Sequence, residues 1–229
     1  MKIAIIGNGA SATNKPNGEF IDGCDIVLRI KNFQIENYEK FVGTKTNWYA
    51  SKWFAWFDRE TFKPLPMKFT KSIDTFLFMF FDPFQPTGAL DHPYIQNYHK
   101  CQLSNEFPHN MGSPELHNFY VKHFQLEKKD LRFMTAEDIK ELAVQELKMD
   151  RSIYYAGKHL VEPTVGARAI YKMLKLFPNE EFFISGFDGF LTGWYWNRSH
   201  KPNKHHSYWT ERLYFTKLIK TKQVTNLDA

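Results

Sequence analysis

The sequence has few cysteines and no long apolar run. Its 229 residues include two cysteines, Cys24 and Cys101, whose spacing fits neither a metal site nor a disulfide framework. The longest apolar stretch, residues 76–81, is far shorter than the roughly 20 residues of a membrane-spanning helix. Residues 2–7 run into a glycine turn and do not match a secretory signal. We therefore expect a cytoplasmic protein.

Basic blocks and the Asp-x-Asp motif are also missing. The formal net charge is +5, yet lysine and arginine alternate with acidic residues instead of forming the arms typical of nucleic-acid binding. A small ligand that carries phosphate or carboxylate fits this charge better, so we expect no nucleic-acid partner. No Asp-x-Asp pair occurs, which removes a carboxylate clamp that many nucleotide-binding transferases use for a divalent cation. We therefore expect no metal and no cofactor.

The sequence does contain alternating strand and helix patterns. Strands are predicted at residues 2–6, 25–30, 47–50, 75–81 and 181–185, with the most apolar, 75–81, at the sheet centre. Helices are predicted at 114–124 and after the N-caps Thr135, Thr164 and Ser207. The alternation predicts one α/β domain over residues 1–229, Rossmann-like, with a mostly parallel sheet and helices on both faces. Irregular segments at about 82–114 and 187–206 are predicted to form a lid.

The turn Gly7-Asn8-Gly9 after the first strand allows two interpretations. Together with Ala12 it fits the dinucleotide fingerprint, in which glycines let backbone amides approach a phosphate. That fingerprint requires a continuous helix after the turn and a carboxylate at the end of the second strand. Here Pro16 and Gly18 interrupt the helix, and residues 29–32 contain no carboxylate. An NAD(P)- or FAD-dependent oxidoreductase is therefore the alternative function, and a purely structural turn is the second interpretation.

Three blocks of sequence resemble the large, small and very small sialyl motifs of the animal-type sialyltransferases. The first comprises Ile5-Ile6-Gly7-Asn8-Gly9, Asp25-x-Val27-x-Arg29 and Val42-Gly43-Thr44-Lys45-Thr46. The second comprises Pro163-Thr164-x-Gly166 and Ile184-Ser185-Gly186-Phe187, and the third is His206-x-x-x-x-Glu211. All three occur in the family's order. The short chain is also similar to the bacterial lipooligosaccharide sialyltransferases.

The resemblance implies a GT-A-like glycosyltransferase variant. Its donor would be CMP-sialic acid, or a CMP-linked nonulosonic or ulosonic relative, and its acceptor a glycan or glycolipid such as a bacterial lipooligosaccharide or capsule terminus. It implies an inverting, metal-independent transfer. In the family an Asn follows the matched Arg29 by two residues; here Lys31 stands there, followed by Asn32, so one of them takes that role or it is lost. A nucleotide-sensing or lectin-like module without catalysis is a third function to consider.

The expected donor site combines turn residues with a helix N-terminus. Thr164 and Gly166 offer a hydroxyl and amides at the positive end of a helix dipole, although Thr164 is equally well explained as an N-cap. Asp188 fits a contact to ribose or acceptor, or an ordinary turn. Asp25 and Arg29 alternate with apolar residues on a strand and are interpreted as structural. The expected donor-binding residues are Gly7, Asn8, Gly9, Asn32, Thr164, Gly166, Gly186, Phe187 and Asp188.

The expected catalytic residues are His206, Tyr195 and Glu211. The resemblance makes His206 the general base, and an imidazole with a pKa of about 6.5 can accept a hydroxyl proton at neutral pH. His205 is the rival base, and a solvated loop of His200, His205 and His206 is the alternative to both. Glu211 lies five residues on, off the histidine's helical face, so we expect an orienting or structural role. Tyr195 is expected either to contact the leaving phosphate or to anchor a hydrophobic lid.

The last helix pattern mixes basic with apolar side chains. It predicts weak peripheral association with the inner face of the cytoplasmic membrane, and a core helix with a solvated basic edge is the alternative. The residues concerned are Arg212, Lys217, Lys220 and Lys222 together with Trp209, Tyr214, Phe215, Leu218 and Ile219.

Overall fold

The computed structural model describes residues 1–51, 72–81, 118, 121–122, 126–149, 154–155, 159–160, 162–189, 191–199 and 206–229. Its strands are β1 (Lys2–Ile6), β2 (Ile26–Ile30), β3 (Trp48–Ser51), β4 (Thr75–Phe81), β5 (Asp130–Met134), β6 (Tyr154–Tyr155), β7 (His159–Leu160), β8 (Glu181–Ser185) and β9 (Thr225–Asn226). Within these residues, seven strands form a parallel sheet in the order β5-β4-β3-β2-β1-β8-β9. Strands β6 and β7 form a separate antiparallel pair.

Helices pack on both faces of the sheet. One face carries a 3-10 helix (Ala10–Thr13), α1 (Gly18–Asp22) and α2 (Glu39–Val42). The other carries α3 (Ala136–Lys140), a π-helical turn (Glu141–Glu146), α4 (Val165–Leu176) and α5 (Tyr208–Lys220). The predicted α/β class with helices on both faces is confirmed. No helix among the described residues is long and apolar enough to cross a membrane.

Strand β1 shows why the sheet is buried on both sides. Ile3 and Ile5 pack in the core that includes α4 and α5, whereas Ala4 and Ile6 pack in the core that includes α1 and α2. All four side chains are at most 1% exposed. Side chains alternate between the two faces of a strand, so a parallel strand covered on both sides must be apolar at successive positions. This explains why the run at residues 2–6 predicts a buried strand.

The position predicted for the most apolar strand is wrong. Strand β4 lies second from one end of the sheet, between β3 and β5, and not at its centre. Phe76, Leu77 and Phe78 are nevertheless at most 1% exposed because both faces of the strand are covered. The apolar content of a strand indicates that its two faces are buried. It does not indicate how many strands lie on either side. Strand β5 itself is not predicted, since Asp130 and Arg132 interrupt its apolar pattern.

The predicted helix caps have different outcomes. Thr135 forms a capping box with Asp138, and the Thr164 side chain accepts a hydrogen bond from the Ala167 amide, as expected for N-caps. Ser207 lies at the N-cap position of α5 as predicted, but its side chain forms no cap hydrogen bond. Its backbone carbonyl accepts a hydrogen bond from the Thr210 hydroxyl.

Several predictions fall on other parts of the chain. Cys101, His200, His205 and the irregular segment at about 82–114 lie outside the described residues, as does most of the helix predicted at 114–124. The assignment of residues 1–229 to a single domain stays a prediction.

The buried Arg29 guanidinium ties β2 to the loop before β3. Its Nη2 donates to the carbonyls of Val42 at 2.7 Å and Gly43 at 3.0 Å. Its Nε donates to the Lys45 carbonyl at 3.1 Å and the Thr46 hydroxyl at 2.8 Å. Burial lowers the pKa of this guanidinium to about 10. These contacts agree with the structural interpretation of Arg29.

Asp22 holds the same loop from α1. Its Oδ1 accepts the Thr44 amide at 2.7 Å and the Lys45 amide at 2.8 Å. Gly43 has φ +68, and a Cβ there would lie 2.4 Å from the Asp22 carboxylate. The loop therefore needs glycine at this position.

We expect Arg29→Met to destabilise the fold by about 3 kcal/mol or more, because it leaves several buried carbonyls without donors. Urea denaturation of the variant and the wild-type chain measures the change. Arg198→Met is the matched control, since the Arg198 guanidinium is exposed and its hydrogen bond to Thr13 is 3.2 Å long. Equal free energies of unfolding for the two variants would contradict the structural role of Arg29.

Candidate functional site

Two glycine turns meet at the carboxyl end of the sheet. The Gly7 amide donates to the Ser185 carbonyl at 2.8 Å, and the Gly9 amide donates to the Gly186 carbonyl at 2.9 Å. A Cβ at Gly7 would lie 2.5 Å from the Gly186 carbonyl oxygen, and Gly186 itself has φ +75. The three predicted glycines are therefore brought together. Because the Gly7 and Gly9 amides already have acceptors, the geometry favours the structural interpretation over direct contact with a phosphate.

The helix that the dinucleotide fingerprint requires does not follow this turn. A 3-10 helix of four residues occupies Ala10–Thr13, and α1 begins only at Gly18. The interruption predicted from Pro16 and Gly18 is confirmed. This geometry argues against the oxidoreductase alternative.

Asn8, between the two glycines, has an acceptor that a ligand can satisfy. Its Nδ2 donates to the Ile30 carbonyl at 3.0 Å, which fixes the side chain at the end of β2. Its Oδ1 is buried and has no hydrogen-bond partner within the part of the chain that the structure describes. A buried acceptor without a donor costs about 1–3 kcal/mol. Asn8 is therefore a ligand-binding candidate on geometry as well as on sequence.

Thr164 and Glu211 join the second sequence block to the third. Glu211 is 1% exposed. Its Oε1 accepts the Thr164 amide and its Oε2 accepts the Thr164 hydroxyl, both at 2.6 Å. The Thr164 oxygen also accepts the Ala167 amide at 3.1 Å. The N-cap interpretation of Thr164 is confirmed. Glu211 contacts this cap from another segment, and its orienting or structural role in catalysis stays a prediction.

The environment of Glu211 changes its acidity. Burial raises the pKa of the carboxyl to about 7, and the two hydrogen bonds from Thr164 oppose the shift. The positive charges of Arg168 and Lys31 also lower this pKa. Glu211 is therefore partly protonated at neutral pH.

Lys31, and not Asn32, has a left-handed backbone conformation at the end of β2. Lys31 has φ 51, in the left-handed region, and its amide donates to the Ala50 carbonyl at 2.9 Å. Asparagine tolerates this conformation better than most residues, which suits a position where the resembled family has Asn. Asn32 is exposed. The geometry therefore favours Lys31 over Asn32 as the counterpart of the family's Asn. The Lys31 ammonium group then replaces the Asn side-chain amide.

His206 precedes α5 and is half-buried. Its Nδ1 lies 2.7 Å from the Glu162 carbonyl oxygen, and its ring contacts Tyr208 with the ring centroids 5.9 Å apart. A carbonyl oxygen only accepts hydrogen bonds, so Nδ1 carries the proton and Nε2 of the neutral ring does not. An unprotonated Nε2 is the form that a general base requires. The choice between His206 and His205 stays open because His205 lies outside the described residues.

The Tyr195 hydroxyl is used within the protein. It donates to the Gln34 carbonyl and accepts the Gln34 amide at 3.2 Å, and burial raises its pKa to about 12. Its ring packs edge-on against Tyr38, with the centroids 5.0 Å apart. These contacts favour the hydrophobic anchor over a hydrogen bond to a leaving phosphate.

Phe187 and Asp188 fill the space around the glycines. A Cβ at Gly166 would lie 2.9 Å from the Phe187 ring, and one at Gly7 would lie 3.2 Å from it. Phe187 therefore separates β1 from the start of α4, which explains why Gly166 lacks a side chain. The Asp188 carboxylate accepts a hydrogen bond from the Thr192 hydroxyl, which agrees with a turn residue.

Arg168 is a site residue that the sequence analysis missed. It is 0% exposed, and it donates to the Met79 carbonyl at 2.7 Å and to the Glu162 carboxylate at 2.6 Å. It thereby joins α4 to β4 and to the segment whose carbonyl contacts His206. The sequence signal that could have identified Arg168 is a single arginine among the apolar residues of α4.

No group of three His, Cys, Asp or Glu side chains suited to a metal ion occurs in the described ranges. Metal-independence stays a prediction.

The fold is that of solved sialyltransferases. A crystal structure of a mammalian sialyltransferase in complex with Gal-beta-1-3GalNAc-ortho-nitrophenol superposes with a TM-score of 0.56, and a second mammalian sialyltransferase structure superposes with a TM-score of 0.55. Their sequences are 17% and 16% identical to this one, and the match covers 100% of this chain and 69% of theirs. The predicted GT-A-like glycosyltransferase fold is confirmed.

The family model for glycosyltransferase family 29 (sialyltransferase) matches residues 1–223. The chain belongs to this family. Alpha-N-acetylgalactosaminide alpha-2,6-sialyltransferase 1 of Gallus gallus is 46% identical over 47 residues, which are 20% of this chain and 8% of that protein. Beta-1,6-galactosyltransferase GALT29A of Arabidopsis thaliana is 40% identical over 47 residues, 20% of this chain and 12% of that protein.

The raised pKa of Glu211 predicts a specific pH dependence of stability. The folded protein holds the Glu211 proton up to about pH 7, whereas the unfolded chain releases it near about pH 4.5. Its stabilising contribution is therefore complete below about pH 4.5 and is lost as the pH rises through about 7. Urea denaturation at several pH values should show this decline in the wild-type chain and not in Glu211→Gln. Parallel pH profiles for the two proteins would contradict the assignment.

Proposed function

We propose that this chain transfers sialic acid, or a nonulosonic or ulosonic relative, from a CMP-activated donor to a saccharide. Within this family, the observation that supports the proposal most directly is the pair of hydrogen bonds between Thr164 and Glu211. They bring the start of α5, with His206, to the start of α4. Gly166 and Phe187 connect the same point to the β1 turn that carries Asn8.

The proposed reaction is an inverting single displacement. The acceptor hydroxyl oxygen attacks the anomeric carbon of the donor sugar, and the bond from that carbon to the CMP phosphate oxygen breaks. CMP leaves with the bonding electrons, while the hydroxyl proton moves to Nε2 of His206. The Glu162 carbonyl holds the Nδ1 proton and stabilises the imidazolium that forms.

The donor-binding roles divide between side chains at the ends of β1 and β2. The buried Oδ1 of Asn8 accepts a hydrogen bond from a donor hydroxyl or amino group. The Lys31 ammonium attracts the phosphate or carboxylate of the donor, consistent with its effect on the nearby Glu211 carboxyl. One relative is a sialyltransferase and another a galactosyltransferase by name, so the sugar is the part of this proposal that most needs a test. We propose a bacterial lipooligosaccharide or capsule terminus as the acceptor and the cytoplasm as the location.

The proposal is tested by binding and turnover. We expect CMP to raise the melting temperature, NADPH and FAD to leave it unchanged, and CMP-sialic acid with a glycan acceptor to release CMP. Turnover should persist in excess chelator, because the proposed reaction does not use a metal ion to bind the phosphate. Stabilisation by NADPH or FAD alone would favour the oxidoreductase. CMP binding without CMP release, across several CMP-sugars and acceptors, would favour a binding module.

We expect His206→Ala to reduce kcat by about 10²–10⁴-fold, the usual range for loss of a general base. The CMP dissociation constant should barely change, because proton transfer occurs only in the transition state. The matched control is His205→Ala, measured with saturating donor and acceptor. Near-normal turnover of His206→Ala, or loss of turnover in His205→Ala alone, would reject His206 as the base.

We also propose that the outer face of α5, defined as Trp209, Leu213, Lys217 and Lys220, contacts anionic lipid near a lipid-linked acceptor. Tyr214, Phe215 and Leu218 belong to the core, which corrects their place in the predicted membrane surface. Trp209 and Leu213 are 67% and 54% exposed and lie one helical turn apart. The lysines follow on the same side of the helix, as in interfacial helices.

Liposome flotation tests this surface. Vesicles that contain phosphatidylglycerol should bind the protein at low salt, and Trp209→Ser with Leu213→Ser should abolish binding. Ile219→Ser is the matched control, because Ile219 is 37% exposed on another side of α5. Equal flotation of the double variant and the wild-type chain would remove α5 as the contact surface.

A further inference from the structure

The Asp228 carboxylate forms hydrogen bonds both to the second glycine turn and to the segment that follows the first. It is 9% exposed, and its Oδ1 accepts the Ser185 hydroxyl at 2.7 Å. Its Oδ2 accepts the Gly186 amide at 2.8 Å and the Ser11 hydroxyl at 2.6 Å. Ser185 ends β8, and Ser11 lies in the 3-10 helix after the first glycine turn. One carboxylate therefore holds the end of β8 and the segment after β1 together.

The backbone around Asp228 is fixed by contacts of its own. Thr225 pairs with Phe183 in the sheet, and the Leu227 amide donates to the Ile184 carbonyl at 2.9 Å. The Leu227 carbonyl accepts Nδ2 of Asn17 at 2.9 Å. These contacts fix the position of the Asp228 carboxylate, which is required of a group that positions other residues.

The residues that Asp228 holds are those that form the meeting point of the turns. The Gly186 amide donates to Asp228, while the Gly186 carbonyl accepts the amide of Gly9. A displacement of Gly186 is therefore transmitted to Gly9 and to its neighbour Asn8. The family model matches residues 1–223, so Asp228 lies outside that match.

We propose that Asp228 is a positioning residue of the donor site, which holds the Ser185–Gly186 turn against Gly7 and Gly9 and thereby sets the position of Asn8. This inference rests on the proposed function, which places the donor at that edge of the sheet. The loss of the carboxylate allows the two turns to separate. Donor binding then weakens, whereas proton transfer to His206, on another segment, does not.

Asp228→Asn tests this role with little change in size. A single amide oxygen replaces two carboxylate oxygens. The Ser11 hydroxyl, the Ser185 hydroxyl and the Gly186 amide therefore cannot all donate a hydrogen bond to this side chain. We expect the KM for CMP-sialic acid and the calorimetric Kd for CMP to rise about tenfold, because a displaced Asn8 loses its hydrogen bond to the donor. The value of kcat should stay within about twofold. Hydrogen exchange at the Gly9 and Gly186 amides should become faster.

Two further variants make the result interpretable. Ser185→Ala removes one of the three donors and should raise the same constants less; it also tests the proposal if Asp228→Asn does not fold. Asp25→Asn is the matched control, because the Asp25 carboxylate accepts the Lys2 amide at 2.7 Å at the opposite end of the sheet. We expect Asp25→Asn to leave the donor KM and the CMP Kd unchanged.

The outcomes separate this proposal from the function on which it rests. If Asp228→Asn lowers the melting temperature but leaves the donor KM and CMP Kd at their wild-type values, Asp228 is an anchor only and the proposal is overturned. A fall in kcat alone overturns it as well. If the wild-type chain binds no CMP in the same calorimetry, the proposed function fails, and the donor-site role of Asp228 fails with it.

Discussion

The contact between the two glycine turns sets the geometry on which the site depends. A side chain at Gly7, Gly9 or Gly186 would place its Cβ 2.5, 2.7 or 2.6 Å from a carbonyl oxygen of the opposite turn. Strands β1 and β8 are neighbours in the sheet, so this backbone contact fixes how their turns present Asn8 and Phe187. The glycines in the sequence blocks are explained by packing, and the chemistry belongs to the side chains around them.

Buried charged side chains connect the segments that carry the three blocks. Arg29 joins β2 to the loop at residues 42–46, and Glu211 joins α5 to Thr164 at the start of α4. Arg168 adds β4 and Glu162. Charges of this kind are costly to bury, and hydrogen bonds to other segments offset part of that cost, since burial still shifts the pKa values of Arg29 and Glu211. Several residues that resemble the sialyltransferase motifs therefore act as scaffold, while His206, Asn8 and Lys31 are the residues to which the proposed function assigns reaction and binding.

The sequence predicts the elements of this fold better than their contacts. The five predicted strands are present with ends shifted by at most one residue, because apolar runs and turn residues are local signals. The hydroxyls of Thr164 and Tyr195 looked available for a ligand, yet their partners are Glu211 and Gln34, which lie 47 and 161 residues away in the chain. No local pattern encodes such partners. The same holds for Asp228, whose acidic side chain near a strand of two residues gave no signal of its own.

The strand order also determines when the site can form during synthesis. Among the described strands β1 is synthesised first, but one of its two neighbours is β8, with Lys2 opposite Glu181. The edge of β1 that faces β8 must therefore wait until most of the chain has been made. Pairings between distant segments form slowly, and an open apolar strand edge is prone to wrong association in the interval. The donor end of this sheet is thus assembled from the earliest and the latest parts of the described chain, and a nascent chain that stops before β8 lacks the turn against which Gly7 and Gly9 pack.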